Sequence, residues 1–133
     1  MDKENLYRGC PVQYTLSYLG GKWQIGILWS LKEKPLRFGV IKKRLANITE
    51  KMLMQELRFF EQQGMVERKV FTEIPPKVEY RLTAKGQTLM PIISSILEWG
   101  YANLQNEKVS KEMFMTPANI MEEIDESLSS KEM

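Results

Sequence analysis

Histidine is absent from the 133 residues, and cysteine occurs once, at position 10. Without histidine there is no imidazole base, no imidazole metal ligand and no serine triad of the usual kind. A single thiol closes no internal disulfide and makes no zinc site by itself. Long apolar runs are also missing, since none approaches the ~20 residues that a membrane span requires. The opening Met1-Asp2-Lys3-Glu4-Asn5 is polar and acidic, unlike the basic flank and apolar core of a signal peptide. Gly20-Gly21-Lys22 lacks the spacing of a phosphate-binding loop, and no carboxylates stand in a recognisable acid/base arrangement. Neither catalysis nor a cofactor, metal or membrane is therefore expected. The expectation is a cytoplasmic protein that works by binding.

A content of 43% hydrophobic and 27% charged residues suits one globular domain with one core. The net charge of +2 conceals an uneven spread. Lys32 to Arg81 holds 12 Lys/Arg against 7 Asp/Glu, whereas Glu107 to Met133 holds 3 against 7. A basic middle with an acidic tail suits a nucleic-acid surface with a remote end, though solvated faces account for most charge runs.

Periodicity gives the order of elements. Pro11 fits the first turn of a helix that Gly20-Gly21 stops near Leu19. A second helix, Lys22 to about Lys32, places Trp23, Ile27, Leu28 and Leu31 on one face and ends before Pro35. A short third helix runs from Phe38 to about Leu45, with Phe38, Ile41 and Leu45 inward and Lys42, Lys43 and Arg44 outward. After a brief turn, Thr49 caps a fourth helix that ends near Gln63 before Gly64. Leu53, Leu57 and Phe60 should face the core, while Lys51, Gln55 and Arg58 repeat that spacing on another face. Two helices joined by so short a turn read as helix-turn-helix.

The period then changes to two. Centring a hairpin on Ile74 sets Val70 opposite Val78, Val66 opposite Leu82, Lys69 opposite Glu79 and Glu67 opposite Arg81. Two apolar and two opposite-charge pairs agree in that register, and a one-residue slip loses both sets. It also leaves Lys77, near the tip, freer than Lys69 or Arg81. Thr83 caps a long helix from Ala84 to about Gln105, kinked at Pro91, whose Leu89, Ile92, Ile93, Ile96, Leu97, Trp99 and Leu104 exceed what one small domain covers. Segment 106–115 reads as a polar linker with Met113, Phe114 and Met115 as an apolar anchor. A final acidic, amphipathic helix from Pro117, capped by Thr116, lines up Ile120, Ile124 and Leu128. Methionines such as Met52, Met65 and Met90 read as core filling. The fold class is mainly α with a small β-hairpin.

Several short motifs now fall into one order. They are Cys10-Pro11-Val12, Gly20-Gly21-Lys22-Trp23, Arg37-Phe38, Lys51-Met52-Leu53, Leu57-Arg58, Glu61, Gly64-Met65-Val66 and Arg68. Pro75-Pro76-Lys77-Val78-Glu79-Tyr80-Arg81-Leu82-Thr83, Gly86, Pro91 and Trp99-Gly100 complete the pattern. Over residues 10–100 the chain resembles the HxlR family of winged helix-turn-helix regulators, relatives of the MarR group. The resemblance implies a homodimer that binds a near-palindromic operator in double-stranded DNA and represses, or sometimes activates, neighbouring genes. It implies a winged helix-turn-helix domain over residues 1–105, with dimerisation helices at both ends, and leaves 106–133 outside the shared pattern. Dimer contacts in such proteins come from the first helix and the helices after the wing. Here that designates Val12, Leu16, Ile93, Ile96, Leu97 and Trp99.

In a major groove, Arg and Gln bond base edges whereas Lys usually meets phosphate. Gln55 and Arg58 are therefore the expected base readers, with Thr49 and Lys51 nearer the DNA backbone. Arg37, Lys42, Lys43 and, at the wing tip, Lys77 are the expected phosphate contacts, and solvated surface is the plain alternative for each. Cys10 precedes a helix start, where the helix dipole stabilises a thiolate and Arg8 adds positive charge. The resemblance implies a sensor of oxidants or electrophiles there; the alternative is an inert thiol buried against the partner subunit. A small-molecule effector near the dimer helices stays open, with no residue that names it. The rival class is a winged helix for protein–protein contact, without a DNA target.

Overall fold

A computed structural model describes residues 9–104. Arg8, segment 106–115 and the helix expected from Pro117 lie outside the described residues. Among the described residues, six helices and one hairpin follow in the order α1 (Pro11–Leu19), α2 (Gln24–Ser30), α3 (Phe38–Arg44), α4 (Glu50–Gln62), β1 (Val66–Phe71), β2 (Lys77–Leu82), α5 (Ala84–Gln87) and α6 (Met90–Asn103).

The core forms around α2, which contacts α1, α3 and α6. Ile27, Leu28 and Trp29 are buried on it, so the helix has no solvent face to keep polar. Its one long polar side chain is satisfied locally. The Gln24 carboxamide accepts from Gly21 N (2.7 Å) and donates to Ser17 O (2.9 Å), which locks the turn between α1 and α2. Such pairing matters because a buried amide without partners costs about 1–3 kcal/mol.

Asn47 makes the turn between α3 and α4 with φ +78°, a left-handed conformation that Asn adopts more readily than most residues. Thr49 then starts α4 by accepting from Met52 N at 3.1 Å. Leu53, Leu57 and Phe60 are fully buried, as their spacing requires. Gly64, at φ +75°, turns the chain out of α4 and into β1.

The antiparallel register is the expected one: Val66 opposes Leu82, Glu67 opposes Arg81, Lys69 opposes Glu79 and Val70 opposes Val78. Leu36 adds an isolated bridge to Tyr80, with reciprocal backbone bonds of 2.9 Å, so the segment before α3 anchors β2. That bridge has no periodic signal in the sequence.

Three expectations need correction. The helix after the wing is two helices, because the chain breaks between α5 and α6, and Pro91 lies in the first turn of α6 rather than at a kink. Proline is at ease there, since that N–H has no intrahelical acceptor to lose. Met52 is exposed rather than core filling, while Met65 is buried and Met90 packs against the core. Ile93, expected at a dimer seam, is 0% exposed within its own protomer. It is a core residue.

Candidate nucleic-acid interface

One row of α4 is buried and another is bare. Lys51, Gln55 and Arg58 are exposed and line, with Met54, Phe59 and Gln62, a shallow groove of ≈ 480 Å3. Two of these six bear full positive charge and two are carboxamides. The set can therefore donate to base edges and phosphates without carrying a carboxylate that would repel them. Thr49 is exposed at the N-terminal end of the same helix, with its side-chain oxygen engaged in the cap.

Helix α3 contributes cations beside α4. Arg37 is its exposed N-cap residue, Lys43 is exposed and Lys42 is half-buried. Arg44 turns back, donating from Nη1 to Ser30 O at 3.3 Å. Lys42, Lys43 and Arg44 occupy the last turn, where they also complement the helix dipole.

On the wing, the expected division of charge is reversed in one respect. Arg81 pairs with Glu67 as anticipated, at 2.9 and 3.1 Å. Glu79, however, pairs with Lys77 at 2.9 Å rather than with its cross-strand neighbour Lys69. Residues two apart on one strand share a face, so Lys77 competes with Lys69 for the same carboxylate. Lys77 is not the freer wing cation.

Helix α1 is coupled to the far end of α4. Tyr18 stacks on Phe59 (centroids 5.8 Å apart, planes at 22°) and donates from its hydroxyl to Gln63 Oε1 at 3.1 Å. Tyr14 meets Tyr18 edge-on at 5.2 Å, and their hydroxyls lie 3.5 Å apart. The Tyr18 hydroxyl lowers the Tyr14 pKa; burial opposes that shift and the Lys85 ammonium assists it. This cluster joins residues up to 45 positions apart, and nothing local in the sequence announces it.

Cys10 is the half-buried N-cap residue of α1, and its carbonyl accepts from Tyr14 N at 2.9 Å. The same helix exposes Val12 (64%) and Leu16 (53%). On α6, Pro91, Ile92, Ser95, Ile96 and Trp99 line an open hollow of ≈ 590 Å3, with Trp99 71% exposed. Leu97 is half-buried against the core. Of the six residues expected at a dimer seam, four are thus outward, one is half-buried and Ile93 is interior.

Known proteins with this pattern are regulators. A sequence model for the HxlR-like helix-turn-helix matches residues 18–108. An uncharacterised HTH-type transcriptional regulator of Halalkalibacterium halodurans is 45% identical over 97 residues, spanning 72% of this chain and 86% of the relative. Among solved structures, the redox regulator HypR in its oxidised form superposes with a TM-score of 0.69 at 40% identity, covering 75% of this chain and all (100%) of that one. The reduced form of the transcriptional regulator YodB from Bacillus subtilis gives 0.63 at 35% identity, with 76% and 98% covered.

Proposed function

The chain belongs to the HxlR-like helix-turn-helix family, a family of transcriptional regulators rather than enzymes, and from that premise we propose that it is a homodimeric repressor that reads its operator through α4. The observation that carries this reading is the opposition of the two rows on α4. Leu53, Leu57 and Phe60 fix the helix to the core, and that leaves Lys51, Gln55 and Arg58 presented on a rigid support. Arg58 and Gln55 read bases, and Thr49 and Lys51 sit nearer the sugar–phosphate backbone. Arg37, Lys42 and Lys43 bind flanking phosphates. A twofold pair places two such helices about 34 Å apart, one turn of duplex.

The primary test is a fluorescence-anisotropy titration on the intergenic DNA beside the protein's own gene, with competitor DNA and a salt series. Competitor-resistant binding with a steep salt slope supports the reading; sequence-blind, salt-insensitive binding favours a protein-contact winged helix instead. On the operator, Arg58→Ala is expected to lose roughly 5- to 150-fold in affinity, from the ~1–3 kcal/mol of a base-reading arginine. Binding to unrelated DNA should fall far less. Equal losses on both would make Arg58 a phosphate contact only.

Cys10 is the proposed sensor of oxidants or electrophiles, a reading supported by HypR, a redox regulator, among the structural neighbours. Helix α1 carries both the thiol and the Tyr18 contacts to Phe59 and Gln63, so displacement of α1 bears directly on the reading helix. With one cysteine per chain, oxidation must either join two copies through an intersubunit disulfide or leave a mixed adduct. Diamide is expected to give a covalent dimer on a non-reducing gel and to change operator affinity, and Cys10→Ser to abolish both effects. Unaltered affinity with the thiol verified as modified rejects the sensor.

A further inference from the structure

We propose that Glu79 decides which wing lysine meets DNA: it holds Lys77 in an internal ion pair and leaves Lys69 as the phosphate contact on that face. This rests on the DNA-binding reading above and assigns the wing's part in it. Alternation along the hairpin puts Glu67, Lys69 and Phe71 of β1 on one face with Arg81, Glu79 and Lys77 of β2. Three cations there share two carboxylates. Arg81 takes Glu67 through two donors, at 2.9 and 3.1 Å. Glu79 takes Lys77 at 2.9 Å, with side-chain exposures of only 21% and 27%. The Arg81–Glu67 pair is far more open, at 48% and 49%. A half-buried pair is screened less by solvent and salt, so Lys77 is the harder cation to detach.

Lys69 differs in kind. Its side chain is exposed, and its ammonium lies 5.0 Å from the Phe71 ring centroid, while that of Lys77 lies 4.9 Å from it. An aromatic face attracts an ammonium without neutralising it. Phe71 thus steadies Lys69 and leaves its full charge for a phosphate, whereas Glu79 cancels the charge of Lys77. Arg68 lies on the other face, with Val66 and Val70, outside this competition.

Counterion release measures the difference. Each phosphate contact contributes about −0.9 to the slope of log K against log salt, and a dimer carries two wings. Lys69→Gln in the full-length protein is expected to make the slope shallower by about 1.8, and Lys77→Gln to make it shallower too, because the Glu79 carboxylate it vacates is then open to Lys69. Glu79→Gln should steepen it by about 1.8, because it frees Lys77, and adding Lys77→Gln should restore the wild-type value. A structural role of Glu79 alone would lower stability without steepening the slope. The proposal is overturned if Glu79→Gln leaves the slope unchanged, or if adding Lys77→Gln to Glu79→Gln fails to restore the wild-type value. Phosphate contacts operate on any duplex, so a random duplex serves if no operator is found. A wild type with no salt-dependent binding to any DNA overturns both this proposal and the DNA-binding reading. Steep wild-type binding with Lys69→Gln silent overturns this one alone.

Discussion

Ile96→Glu is expected to dissociate the proposed homodimer and to lower operator affinity by at least about a hundredfold, a loss of ~3 kcal/mol. Ile96 is 42% exposed on the protomer and sits among Pro91, Ile92, Ser95 and Trp99, while Ile93 on the same helix is wholly interior. The substitution therefore spares the protomer core and acts only where two copies of α6 would meet. Under twofold symmetry each seam receives two carboxylates, and desolvating an unpaired ion costs several kcal/mol. A dissociated protomer reads one half-site and loses the contacts of the other. Sedimentation should report a monomer at concentrations where the wild type is dimeric, and anisotropy should report the lost affinity. Circular dichroism should retain the protomer's helices. A variant that remains dimeric with wild-type affinity places the seam elsewhere on the molecule.

Which face of α6 lies inward illustrates where sequence reasoning stopped. Seven apolar residues spread around one helix exceed what one protomer covers, yet they do not say which stripe meets the protomer and which is left for the proposed partner. That division depends on where α2 lies, a contact between segments some 65 positions apart in the sequence. Local signals did better. The hairpin register was legible because charge pairs and apolar pairs agreed on one alignment, and Thr49, Gly64 and Thr83 marked their termini through backbone chemistry that acts within three residues. The face carrying Lys51, Gln55 and Arg58 was legible as the complement of a buried row. The Lys77–Glu79 pair was missed because only directly opposed residues were weighed, although neighbours two apart on one strand compete equally well. The link from Tyr18 to Phe59 and Gln63 had no local signature at all.

The break between α5 and α6 leads to the second large effect. Gly86→Ala is expected to destabilise the fold by about 3 kcal/mol, the upper end of what overpacking usually costs. A Cβ on Gly86 would clash with the Met65 carbonyl oxygen and meet Leu82 Cδ2 at 3.2 Å. The first obstacle is backbone, and it is pinned. Thr83 N donates to that same Met65 oxygen at 3.0 Å, and Lys85 Nζ donates to Gln63 O at 3.2 Å. The Thr83 side chain meanwhile accepts from Gly86 N at 3.1 Å. Helix α5 is thus clamped against the turn between α4 and β1, and the extra methyl must prise the two apart. That motion disturbs α4, the root of the wing and the approach to α6 together, so the proposed operator binding should weaken as well. Gly39→Ala is the matched control, because its added Cβ meets nothing within 4 Å and the residue lies inside α3. Replacing a helical glycine there should stabilise by about 0.5–1 kcal/mol. Thermal melting should therefore move the two alanine variants in opposite directions, with Gly86→Ala falling by roughly 10 °C or more for a domain of this size. If Gly86→Ala melts with the wild type, the chain has a second way of packing α5, and the close approach to Met65 is not what fixes the wing to the body.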